Sequence, residues 1–247
     1  MSGYARRGVH GQTVEAIAHR VLSGEIGVGA TLDLAALQEE LGVSLTALRE
    51  SLKVLAAKGM VDARQKRGTF IRPRADWNLL DADVLRWQFE AAGAHSDAGS
   101  PLLRDLDEVR AIVEPASVRY AAERRTDDDL TALEAALAAM AKAADSSPEA
   151  VEADLAFHRA LLAASHNELL ERMEMVIATG LAARDHLVHG PGHHPGDPVP
   201  SHRAVFDAVR DRDADAAEAA MRSLLAQAEQ DLAELREDEW MLSKGED

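Results

Sequence analysis

The chain contains no cysteine, so neither a disulfide framework nor a thiolate metal site is available to it. Aromatic residues are scarce, nine in 247, which speaks against a single-strand nucleic-acid binder built on stacked rings. No apolar run reaches membrane-spanning length, and the N-terminal stretch carries no signal-peptide hydrophobic region, so a soluble cytoplasmic protein with no membrane partner is expected. Positive charge is in short supply too. The formal net charge of −16 argues, taken alone, against a nucleic-acid partner. The deficit is uneven, however. Residues 1–75 hold 11 Lys and Arg against 7 Asp and Glu, whereas the remainder holds 16 against 36. A basic end on an acidic body binds phosphate through that end only, and the acidic body repels DNA presented the wrong way round.

What is present is concentrated in Leu41–Arg72, LGVSLTALRESLKVLAAKGMVDARQKRGTFIR. Gly42-Val43-Ser44 forms a turn, and Ser44 suits a helix N-cap. Leu48, Leu52 and Leu55 repeat at helical spacing and mark a buried face, while Thr46, Arg49 and Lys53 fall away from it toward solvent or a DNA groove. Gly59 ends the helix. Val61–Arg64 and Thr69–Arg72 then read as short strands around Gln65-Lys66-Arg67-Gly68, a cationic hairpin tip whose glycine allows close backbone approach. Upstream, Val14, Ile17, Ala18, Val21 and Leu22 give one amphipathic helix, and Leu34, Leu37 and Leu41 a second. Three helices and a basic hairpin make a winged helix-turn-helix over 1–75.

Residues 76–101 read as a linker with a short helix over Asp81–Glu90, followed by a small-residue loop. From 102 to 247 the pattern is helical throughout, without strand-like alternation or internal repeat. Leu102–Arg125 forms one long helix, with Pro115 expected to kink it. Thr126 and Asp129 have capping-box spacing, and Ser147-Pro148 pairs a cap with a first-turn proline. Further helices are expected over 148–165, 167–189, 198–211 and 214–240. The fold class is therefore mainly α: an N-terminal winged helix-turn-helix plus a C-terminal all-α bundle.

The Leu41–Ile71 stretch resembles the winged-helix domain of GntR-family transcription regulators. VRAIVEPASVRYAAERRT (109–126), DLAFHRALLAASHNELL (154–170) and SHRAVFDAVRDRDADAAEAAMR (201–222) resemble the FCD ligand-binding domain of that family's FadR branch. WNLLDADVLRW (77–87) is similar to regulators that respond to sugar acids such as galactonate. The resemblance implies a homodimer on a pseudo-palindromic double-stranded operator, with a recognition helix in the major groove and a wing in the minor groove. Ser44, Thr46, Arg49, Lys53, Lys66, Arg67, Gly68 and Thr69 are then the DNA-contacting set. Arg49 is the strongest base reader, because a guanidinium matches guanine O6 and N7. Arg49 also has a plain reading as a solvated helix face, and Lys66 and Arg67 as an ordinary solvated hairpin tip. Leu45 and Ala35 depart from the family, which commonly places basic residues there; Leu45 suits either thymine methyl contact or the core.

A second constellation is histidine-rich: seven of ten histidines lie between His158 and His202. Asp154 and His158, four apart, share a helix face, and His202 opens a later helix. An Asp with two His suits one divalent metal, zinc favoured by the imidazoles. Metal-binding FCD domains add a histidine 22 residues after the one matching His202, and here that position is Leu224. Two readings follow: a three-ligand site open to an effector, or a site that has lost its ion. His186, His189, His193 and His194 supply either a replacement ligand or a solvated loop. Arg110 reads either as a clamp for an effector carboxylate or as the partner of Glu114 in a surface i, i+4 ion pair. Asn167 sits among the family's effector-pocket residues and also suits a helix cap. The combined expectation is a ligand-responsive DNA-binding regulator, a repressor released by a small organic or sugar acid, and not an enzyme. The competing reading is a metal-dependent enzyme using Asp154, His158 and His202, weakened by the lack of an HExxH-type general base.

Overall fold

Local signals set most of the helix ends. The computed structural model describes residues 8–93, 101–143, 147–188 and 196–244, apart from the side chains of 92–93, 183–188, 232 and 235–244. Helix α1 (Val9–Leu22) buries Val14, Ile17, Ala18 and Val21. Helix α2 (Leu34–Leu41) is capped by Asp33, whose carboxylate accepts from the Ala35 and Ala36 amides. Helix α3 (Leu45–Ala57) is capped by Ser44 and buries Leu48, Ser51, Leu52 and Leu55, the apolar stripe read from the sequence. At Gly59 the backbone turns left-handed, φ 77°, and a Cβ there would run into the Asp76 carbonyl, so only glycine makes this exit.

Strands β1 (Val61–Arg64) and β2 (Gly68–Ile71) pair antiparallel, Val61 opposite Ile71 and Arg64 opposite Gly68. The segment before α2 lies along β2, with a Thr31–Phe70 bridge and the Leu32 amide donating to the Thr69 carbonyl at 2.8 Å. A short 3-10 turn, Arg74–Asp76, leads to α4 (Ala82–Gly93). Val84 and Trp87 of α4 are fully buried in the same core as Val14, Ile17 and Leu55. Contacts divide the chain into two units, Met1–Ala94 and His95–Asp247, so α4 belongs to the first.

The second unit is all helical: α5 (Pro101–Arg124), α6 (Asp127–Met140), α7 (Pro148–Ala164), α8 (Glu168–Arg172), α9 (Glu174–Val188), α10 (Val199–Arg210) and α11 (Ala214–Lys244). The capping box is formed: Thr126 accepts from the Asp129 amide and the Asp129 carboxylate accepts from the Thr126 amide. Ser147 caps α7 ahead of Pro148. Helix α5 stays one continuous element through the buried Pro115. The single helix expected over 167–189 is instead two, joined at Met173 by tight i→i−3 bonds, Met173 to Leu170 and Val176 to Met173, both 3.0 Å. The main core gathers Val118, Leu133, Leu137, Phe157, Leu161, Val205, Phe206 and Met221 from α5, α6, α7, α10 and α11. A smaller cluster of Leu155, Leu162, Ile177 and Leu181 seats α9 on α7. Helices α5 and α9 approach so closely that a methyl on Gly180 would collide with the Leu106 side chain. No helix among the described residues is long and apolar enough to cross a membrane.

Candidate functional site

The first unit presents two neighbouring features of nucleic-acid character. Along one side of α3, Ser44, Leu45, Thr46, Arg49, Glu50 and Lys53 are all exposed. Ser44 Oγ is committed to the cap, accepting from the Ala47 amide at 3.2 Å. Leu45 is 37 % exposed and lies outside the core, which removes one of its two sequence readings. Lys53 Nζ lies 2.7 Å from Glu50 Oε1, so its charge is partly answered on its own helix. At the wing tip Lys66 and Gly68 both take left-handed backbone, φ 68° and 81°. Arg67 does not extend from the tip. Its guanidinium lies 3.6 Å over the Phe70 ring and donates to the Gly29 carbonyl at 3.2 Å. Arg64 approaches the same ring at 5.4 Å. Phe70, which the sequence reading passed over, therefore organises the wing cations; an aromatic beside two arginines on a hairpin was the available signal. Thr69 is half-buried, and its carbonyl holds Leu32.

The second unit brings together Asp154 and His158 of α7 and His202 of α10, their ligand atoms all within 4.8 Å of one another. Asp154 Oδ1 is 2.9 Å from His202 Nε2, and Asp154 Oδ2 is 3.9 Å from His158 Nε2. Ligands about 2.0–2.1 Å from a tetrahedral zinc stand about 3.3 Å apart, between those two spacings. The opposite ring atoms are already placed. His158 Nδ1 lies 2.6 Å from Glu114 Oε2, and His202 Nδ1 lies 2.8 Å from the Pro198 carbonyl. With the Nδ1 atoms against acceptors, both Nε2 atoms turn toward Asp154, the carboxylate–histidine arrangement that orients metal ligands. His202 Nε2 is buried 2.9 Å from Asp154 Oδ1, a spacing that serves an ion pair in the metal-free protein and brings both atoms toward a shared ion. The residues present therefore fit a divalent ion.

Arg110 and Glu114, four apart on α5, form the ion pair anticipated from their spacing, Nε to Oε1 at 2.7 Å, but both are buried instead of on the surface. Burial alone would push the Glu114 carboxyl up; Arg110 and His158 beside it hold it down at about 2. Burial likewise opposes the charge on Asp154, yet His158, His202 and Arg110 keep it well below the usual carboxylate range. For His202 burial favours the neutral ring, and the Asp154 carboxylate with the Pro198 carbonyl outweighs it and raises the value. Leu224, at the place of the expected fourth ligand, is buried in the apolar cluster that holds Phe157, whose ring centroid is 5.0 Å from that of His202. His189, His193 and His194 lie outside the described residues, as does the His186 side chain. Asn167 Oδ1 accepts from the Leu169 and Leu170 amides at 3.0 and 3.3 Å, so it caps α8.

Comparison with known proteins agrees with both halves. Residues 10–71 match the model described as bacterial regulatory proteins, gntR family, and residues 105–227 match that of the FCD domain. The chain is 34 % identical over 218 residues to the galactonate operon transcriptional repressor of Escherichia coli K12, covering 87 % of this chain and 93 % of that protein. It is 32 % identical over 222 residues to the HTH-type transcriptional regulator YieP of the same organism, covering 85 % and 90 %. Among solved structures, the Listeria monocytogenes protein Lar shares the fold, with TM-score 0.58 at 16 % identity over 93 % of this chain and 98 % of that one. With an exposed recognition helix and basic wing in one unit and an FCD bundle in the other, the chain belongs to the GntR family of DNA-binding transcription regulators, in the branch that carries an FCD domain.

Proposed function

We propose that this regulator is a cytoplasmic homodimeric repressor whose second unit holds one divalent metal, zinc favoured, and releases operator DNA when a small carboxylate-bearing sugar acid binds. Asp154, His158 and His202 would hold the metal, which supplies positive charge and an open coordination position and performs no turnover. The observation that carries the reading is the charge of this buried cluster. Arg110 contributes one positive charge, and Glu114 and Asp154 two negative ones. Asp107 also lies close enough to act on Arg110, so the cluster gains positive character chiefly from the ion, and a divalent ion with an open position attracts an anion. That local charge answers the long-range repulsion from the acidic remainder of the chain. Arg110 interacts with Asp154 as well as Glu114, so it belongs to the same cluster and serves the effector carboxylate from there. Three protein ligands, with Leu224 in place of a fourth, suit a ligand that completes the coordination sphere. The relative whose name mentions a galactonate operon supports sugar acids as the first class to try.

On DNA, Arg49 reads a base edge in the major groove, Ser44, Thr46 and Lys53 flank it, and Lys66, Arg67, Gly68 and Thr69 bring the wing to the phosphates or minor groove. Arg67 leaves Phe70 to do so. The test is a thermal-shift screen of galactonate, related sugar acids and dicarboxylates against metal-free and zinc-loaded protein, followed by competition on labelled operator. An acid that raises the melting temperature only when zinc is present, and releases DNA, is the expected result. Equal responses with and without zinc, or a response only to neutral compounds, would sink the metal-anion reading. The domain matches and the relatives' names favour a regulator over the enzyme alternative.

A further inference from the structure

Lys58 immediately follows the recognition helix, where a lysine would ordinarily extend into solvent. Here its side chain is only 9 % exposed, with Nζ 2.6 Å from Asp81 Oδ1 and 2.9 Å from Asp83 Oδ2. The ammonium also lies 5.5 Å from the centre of the Trp87 ring. Asp81 Oδ1 at the same time accepts from the Asp83 and Val84 amides, so it is the N-cap of α4. The Lys58 carbonyl accepts from the Asn78 amide at 2.9 Å. One residue thus grips the approach to α4 with its backbone and the start of α4 with its side chain. Farther along, Arg86 of α4 reaches Glu15 of α1 at 2.6 Å. Helix α4 is fixed both to the end of α3 and to α1, and it is the last element before the chain enters the second unit. Among the described elements of the first unit α4 is the one nearest in sequence to the second unit, and Lys58 is one of its ties to the end of the recognition helix.

We propose that Lys58 is a positioning residue for operator recognition: by locking α4 to the end of α3 it fixes how a dimer presents its two recognition helices, and so sets selectivity for half-site spacing. The proposal rests on the homodimer reading above. Half-site spacing in dimeric helix-turn-helix proteins mirrors the geometry between the recognition helices, whereas base preference within a half-site belongs to residues on the helix itself. A loosened joint should therefore blur spacing and spare base preference.

The experiment uses the full chain and an operator obtained by selection from randomised DNA, then measures affinity for operators lengthened or shortened by one base pair between half-sites. The key variant is Lys58→Met with Asp83→Asn, which removes the buried cation together with one carboxylate it neutralises and leaves Asp81 to cap α4. It should keep the wild-type base preference and lose spacing discrimination by about tenfold, a typical coupling size. Lys58→Arg, which keeps a cation within reach of both carboxylates, should restore it. If the double variant does not fold, Asp83→Asn alone carries the same comparison with a smaller loss. Unchanged spacing discrimination overturns the proposal. So does an equal loss at every spacing with blurred base preference, which would make Lys58 a mere support for α3. A wild-type protein indifferent to spacing would instead bring down the dimer reading, and this proposal with it.

Discussion

Each unit buries one ionic cluster, and the two are built to different ends. In the first, Lys58 stands between two carboxylates at hydrogen-bonding distance, one of which also caps a helix. Arg86 of α4 approaches Asp83 as well, at 3.6 Å, so the carboxylates are answered by cations of the first unit, and the cluster joins α3 to α4. In the second, Glu114 and the Pro198 carbonyl take the far side of two imidazoles, and the near sides of both converge on Asp154. That cluster is ordered but its donor atoms still point at a common place. A closed buried cluster fixes geometry, whereas an open one recognises something, and burial fraction or ion-pair count alone does not tell them apart.

The sharpest way to break this comparison is at the closed cluster. Lys58→Met removes the cation that contacts both carboxylates, leaving Asp83 with Arg86 at 3.6 Å, and should cost the first unit about 3 kcal/mol, with no dependence on zinc. Urea melts of the full chain measure it, and an unchanged transition would show that the cluster holds nothing together. At the open cluster, Glu114→Gln keeps the shape but removes the charge bracing His158. Zinc affinity should fall about 10–100-fold, the usual effect of losing such an outer partner. Competition with a chromophoric chelator reads this directly, and an unaltered affinity would mean that Glu114 serves the fold alone. The mildest probe is pH. His202 is raised above its ordinary 6.5, so below the raised value metal must displace a proton, and zinc affinity should climb about tenfold per pH unit before levelling above it. In metal-free protein the sign reverses. The stability that the His202–Asp154 pair contributes is complete below pH 6.5 and is lost as pH rises through the raised value. Parallel curves for metal-free and zinc-loaded protein would contradict the assignment of His202 as a ligand.

Much of this was legible from the sequence where the cause is local. The Ser44 cap, the Thr126–Asp129 capping box and the Asp154–His158 spacing act within a turn or two, and all three have the geometry their spacing implied. The Arg110–Glu114 pair was legible too, but its burial was not, because an i, i+4 spacing says nothing of what packs over it. Glu114 as the brace of His158 was missed for the same reason, since the two residues come from different helices, α5 and α7. The break at Met173 was invisible because LLERMEM contains only good helix formers and offers no local stop signal. Nothing in the sequence marks Lys58, because helix-end lysines are usually solvated and its burial comes from the return of α4.

The contact between Gly180 and Leu106 has a consequence best put in genetic terms. Two helices that nearly touch at a glycine form a lock with one key on each side. Gly180→Ala should damage the second unit although alanine is the better helix former, because the buried Leu106 side chain must shift to admit the added methyl. Leu106→Ala should damage it separately by leaving a hole. Combined, the two should suppress one another, so that a screen for revertants of Gly180→Ala would find its answer 74 residues upstream, on a helix that carries none of the proposed metal ligands.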